Sequence, residues 1–127
     1  MPMESKLRAA FEAELRQAVE AERDGGLPRA WRHLERAHIL SQAHAGPHIR
    51  VHCLMFGFGW RRRNVRELLG QLARILLAGP GSWLGRAPLG NTGGANVGIR
   101  TPMPIPEDLR AILEASGSLP IHSRGQP

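Results

Sequence analysis

The sequence has no tyrosine, one cysteine, one lysine and no long apolar run. A lone Cys53 excludes an internal disulfide and suits a reducing compartment. The longest apolar clusters, Cys53 to Phe58 and Ile75 to Ala78, fall far short of the ~20 residues that cross a bilayer. Met1-Pro2-Met3-Glu4-Ser5-Lys6 opens a charged helix and does not read as a signal peptide, so a soluble protein in a bacterial-type cytoplasm is expected. Aromatic residues make up 5% of the chain, and the missing tyrosine removes one common general acid.

What is present is arginine. Seventeen basic residues against eleven acidic ones leave a net charge of +6, and Lys6 is the one lysine among them. Guanidinium forks suit carboxylate and phosphate alike. Only Arg61-Arg62-Arg63 forms a run, however, and no aromatic platform accompanies it, so a nucleic-acid partner is not expected. The run reads as a solvated turn opening the next helix.

A chain of 127 residues is sized for one domain. The punctuation divides it into helices. Leu7, Phe11, Leu15 and Ala18 make one stripe over residues 3–23, which Asp24-Gly25-Gly26 stops. Leu27-Pro28 starts a second helix over 28–42, proline being suited to a first helical turn. Ala45-Gly46-Pro47 breaks the chain before a third, over 47–57. Asn64 is an N-cap for a fourth over 64–78, which Gly79-Pro80-Gly81 ends. Residues 79–105 are rich in glycine and proline without helical periodicity and read as a long wrapping loop, with Asn91 to Asn96 able to turn over a neighbouring surface or cradle an anion. A short closing helix follows over 106–115. The fold class is therefore all-α: two antiparallel helical hairpins, the loop and the final helix, in a single domain over 1–116 with 117–127 as a flexible tail.

Five of the six histidines fall between Trp31 and Gly59. Projected at 100° per residue, His38 joins Leu27, Trp31, Leu34 and Ala37 on the apolar stripe of the second helix. His48 and His52 stand four apart, on one face with Val51, Met55 and Phe56. Three inward imidazoles from adjoining helices match the needs of a borderline divalent metal, whose usual ligands are neutral ring nitrogens. A hydrogen-bonded histidine cluster is the alternative. Glu14, at the edge of the first helix's stripe, is the carboxylate placed to complete a metal shell; the commoner outcome for Glu14 and Glu22 alike is snorkelling or an ion pair with an arginine. Zinc is the first expected metal and copper the second, since Met55 would soften the site. His33 and His44 read as core or surface residues, and Cys53 as a small buried hydrophobe.

Enzymatic constellations are not evident. Adjacent Cys53 and His52 diverge by about 100° on a helix and cannot form a dyad. Ser41 can meet His38, but no oxyanion device lies nearby.

The histidine stretch, the Gly-Trp-Arg-Arg-Arg link and the segment from Gly85 to Pro106 together resemble a family of short bacterial proteins catalogued as a domain of unknown function, over about residues 5–115. That resemblance implies a compact, mostly helical protein and no established activity. Ala30 to Ala37 laid on Val65 to Leu72 gives a spacing of thirty-five residues, similar to tetratricopeptide helix pairs. The function expected is metal binding through His38, His48, His52 and Glu14, as a sensor, buffer or delivery accessory. The alternative is a non-enzymatic interaction module taking a protein partner, or a second copy through Phe58, Trp60 and Trp83.

Overall fold

The computed structural model describes residues 2–83 and 104–118, with side chains placed up to residue 76 in the first stretch. Five helices account for most of it: α1 Ser5–Arg23, α2 Leu27–Ser41, α3 Ala45–Arg61, α4 Val65–Trp83 and α5 Glu107–Ala115. No strand occurs among the described residues. The all-helical class is as expected.

Each boundary has a local cause. The Glu4 carboxylate caps α1 by accepting from the backbone N–H groups of Lys6 and Leu7, at 3.1 Å each. Gly25, at φ +81°, supplies the left-handed residue that turns the chain into α2. Pro28 occupies the first turn of α2. Asn64 caps α4 as its side chain suggested, its Oδ1 accepting from Glu67 N–H at 3.1 Å.

Two boundaries differ from those expected. Helix α3 begins at Ala45 and passes through Gly57-Phe58-Gly59 to Arg61. Glycine weakens a helix without forbidding it, and Gly59 is buried where α3 meets α4: an added Cβ would lie 3.5 Å from Glu67 Cβ. Close approach of two helices outweighs local propensity there. Helix α4 likewise runs through Gly79-Pro80-Gly81 to Trp83. Proline removes one donor from the ladder and can kink a helix without ending it. Of the expected loop over 79–105, the part from 84 to 103 lies outside the described residues, as does 119–127 of the tail, His122 included.

Helix α1 packs on α2 and α3 on α4, with α2 and α3 joining the two pairs and α5 lying on α1 and α2. One apolar cluster gathers Leu7, Phe11 and Leu15 of α1, Leu34, Ala37 and Leu40 of α2, and Val51 and Met55 of α3 under Leu109 and Leu113 of α5. Truncating a ring as buried as Phe11 to alanine costs about 3–5 kcal/mol. At the rim, Arg50 pairs with Glu12 at 2.5 Å and Arg61 with Glu22 at 2.7 Å, tying α3 to α1.

Candidate metal centre

The break at residues 42–44 turns α3 back along α2, which brings the last turn of α2 beside the first two turns of α3. His38 comes from the former, His48 and His52 from the latter. All three are buried, at 3%, 5% and 2% exposure. Their Nε2 atoms converge: His48 and His38 are 2.8 Å apart, His38 and His52 3.1 Å, and His52 and His48 3.1 Å. Among the described residues this is the group of side chains close enough to hold a metal ion, and its potential ligand atoms are imidazole nitrogens alone.

The triangle cannot satisfy itself. At neutral charge Nε2 carries either a proton or a lone pair, never both. Around three mutually adjacent nitrogens at most two contacts can pair a donor with an acceptor, which leaves the third donor against donor or lone pair against lone pair. An extra proton would not relieve it, since each Nε2 would still be either donor or acceptor, and burial opposes one. The His48 pKa is pushed down to about 3 by burial first and then by the charges of His52 and Arg74. That of His52 is pushed down to about 4, again chiefly by burial, with a hydrogen bond to Gln71 acting the other way and Arg74 acting with burial.

Helix α4 determines which form His52 takes. Its Nδ1 lies 2.6 Å from Gln71 Oε1, while Gln71 Nε2 donates to Glu67 Oε1 at 2.6 Å. The Glu67 carboxylate can only accept, so it holds the amide with its oxygen toward the histidine. His52 therefore keeps its proton on Nδ1 and turns the lone pair of Nε2 into the cluster. Gln71 is fully buried, and Arg74, one turn along the same face, is 6% exposed. Burial lowers the Arg74 pKa and nearby Glu67 raises it. Nothing in the histidine pattern pointed to Gln71 or Arg74. The available signal was their i, i+3 spacing with Leu68, which places them on the inner face of α4.

The other candidate residues stand elsewhere. Glu14 is buried but apart from the cluster, its Oε2 2.6 Å from His33 Nδ1 and its Oε1 accepting from Arg36 Nε at 2.8 Å. Arg36 reaches on to Asp108, so this group ties α1, α2 and α5 together. The ion-pair reading of Glu14 and Glu22 thus describes both. Cys53 is exposed rather than buried, because one residue beyond His52 the α3 surface has already turned to solvent. Phe58 packs on Trp31 with ring centroids 5.4 Å apart, Trp60 is exposed, and the Trp83 side chain lies outside those described.

An all-helical protein, with five helices among the described residues and a buried trihistidine cluster at the α2–α3 turn, is thus the class that fold and site define. The chain belongs to a family described as a protein of unknown function, DUF3703, whose model matches residues 5–113. Neither the curated proteins nor the solved structures contain a match to it.

Proposed function

We propose that this protein is a transition-metal-binding accessory, a sensor, buffer or delivery protein of the cytoplasm, that holds one zinc ion through Nε2 of His38, His48 and His52. The observation behind this reading is the convergence of three buried Nε2 atoms within 3.1 Å of one another. Nitrogens bound tetrahedrally to one zinc at about 2.0–2.1 Å stand about 3.3 Å apart, so only a few tenths of an ångström of opening is needed. A cation accepts all three lone pairs and removes the frustrated contact. Three imidazoles without a thiolate favour zinc over cuprous copper, and copper remains the second choice. The outer contact from Gln71 to His52 is of the kind that orients metal-ligating histidines.

The test is a titration of purified protein with zinc and with copper, beside a His48→Ala plus His52→Ala double variant whose helicity is checked by circular dichroism. Wild type should take up one equivalent that the folded double variant does not. Equal uptake by both removes the reading.

A second reading, as an interaction module, has one observation in its favour. Val65, Leu69, Leu72 and Leu76 of α4 are exposed at helical spacing, opposite the face carrying Gln71 and Arg74. Apolar stripes of that kind mark contact surfaces.

A further inference from the structure

We infer that two copies of this chain pair through the outer face of α4, as an antiparallel two-fold helix pair that buries Val65, Leu69, Leu72 and Leu76 of each. The inference is independent of the metal reading and commits the exposed stripe to one occupant.

The fold leaves α4 covered on one side. Among the described residues α4 packs on α3 and on no other helix, whereas α1 and α2 are both covered by α5. The face turned away from α3 carries Val65, Leu69, Leu72 and Leu76 at 65%, 63%, 49% and 71% exposure. A helix that meets only water there would carry polar residues at such positions. Val65 to Leu72 and Leu69 to Leu76 each span one heptad, so the stripe is the kind of seam along which a second helix packs at a shallow angle.

What the stripe fits is its own image. From Leu69 to Leu76 every exposed residue is apolar, namely Leu69, Leu72, Ala73 and Leu76, so the occupant must be apolar over the same length. Turned about a two-fold axis between Leu69 and Leu72, the stripe sets Leu69 of one copy against Leu72 of the other and Val65 against Leu76, and the reverse. Charge selects that direction. Parallel pairing would set the two exposed Arg66 side chains, and the Arg61-Arg62-Arg63 runs before them, side by side. Antiparallel pairing holds the two Arg66 positions about 13 Å apart along the helices, beyond the ~8 Å screening length of physiological salt.

The area sets the strength. Four side chains exposed to that degree offer on the order of 400 Å² of apolar surface per copy, the size at which a patch marks a contact. Two copies, with Arg66 and Ala73 at the rim, bury about 1,000 Å² in all, the lower end for a specific interface, so a dissociation constant in the micromolar range is expected.

The test is sedimentation equilibrium of the full chain from about 1 μM to 1 mM, a range that brackets such a constant. A chelator is present throughout, so the outcome is separate from that of the zinc titration. Wild type should pass from monomer to dimer across the range. Leu69→Lys and Leu72→Glu each put a charge into the seam and should weaken the dimer about a hundredfold, with helicity by circular dichroism unchanged because both positions face solvent in the monomer. Leu69→Lys combined with Leu72→Glu in one chain should recover about tenfold of that loss, since antiparallel pairing sets position 69 of each copy against position 72 of the other and opposite charges meet twice. Should a charged variant lose helicity, Leu69→Ser and Leu72→Ser take its place, with about tenfold weakening expected. A wild type that stays monomeric at every concentration overturns the inference, as does a dimer that none of these single substitutions weakens. A combined variant no tighter than the single ones overturns the antiparallel pairing.

Discussion

Gln71 presents its amide oxygen to His52 Nδ1 at 2.6 Å because its amide nitrogen is committed to Glu67. A residue outside the ligand set thereby decides where the proton of a ligand sits. Gln71→Ala should lower zinc affinity by about 10–100-fold, the usual loss when an outer partner of a ligating histidine is removed. Glu67→Ala should lower it less, since Gln71 can keep its orientation part of the time. Competition against a chromophoric chelator measures both. Unchanged affinity in Gln71→Ala would show that the tautomer of His52 is set by something else.

Acid should destabilise the metal-free protein. His48 and His52 titrate near 3 and 4 in the fold, against an ordinary value of 6.5. Below about 6.5 the unfolded chain therefore binds protons that the folded one does not, and the unfolded state gains. The stabilising difference is fully present above pH 6.5 and is lost as pH falls through about 4 for His52 and about 3 for His48, on the order of 1 kcal/mol or more per pH unit. Urea unfolding at pH 7, 6 and 5 measures it. A His48→Leu plus His52→Leu variant should show a flatter dependence.

Glu14 should matter for stability and not for metal. Its carboxylate is buried between His33 and Arg36, so Glu14→Ala leaves two partners short of an acceptor, at about 1–3 kcal/mol. The melting temperature should fall while zinc affinity stays within about threefold of wild type. A large loss of affinity in a variant still folded would make Glu14 part of the metal shell.

Cys53 is exposed and outside the cluster. Alkylating it with iodoacetamide should therefore leave zinc uptake intact, and Cys53→Ser should do the same. Loss of the metal on alkylation would place the thiol in the shell.

The amphipathic periodicity of α1 and α2 made both legible from the residues alone, and Pro47, which lies in the first turn of α3, signalled a turn between α2 and α3 a few residues from where it occurs. His38 among apolar neighbours, and His48 and His52 at i, i+4, can face inward only toward each other once that turn is made, so the cluster could be read as well. Two matters needed tertiary information. The reach of α3 through Gly57 and Gly59 depends on how closely α4 approaches, which local propensity does not encode. The facing of α4 was hidden because it buries Gln71 and Arg74 and exposes Leu69, Leu72 and Leu76, reversing the pattern that hydrophobicity suggests. Glu14 was ambiguous for a related reason. A carboxylate at the edge of an apolar stripe can meet a metal or an arginine, and only the position of Arg36 on the neighbouring helix separates the two.

The most direct measurement is X-ray absorption at the zinc edge of the loaded protein. Three imidazole nitrogens at about 2.0–2.1 Å, with the outer-shell scattering of their rings, are expected. A first shell of oxygen alone, or one dominated by sulfur at about 2.3 Å, would contradict a zinc site built from His38, His48 and His52.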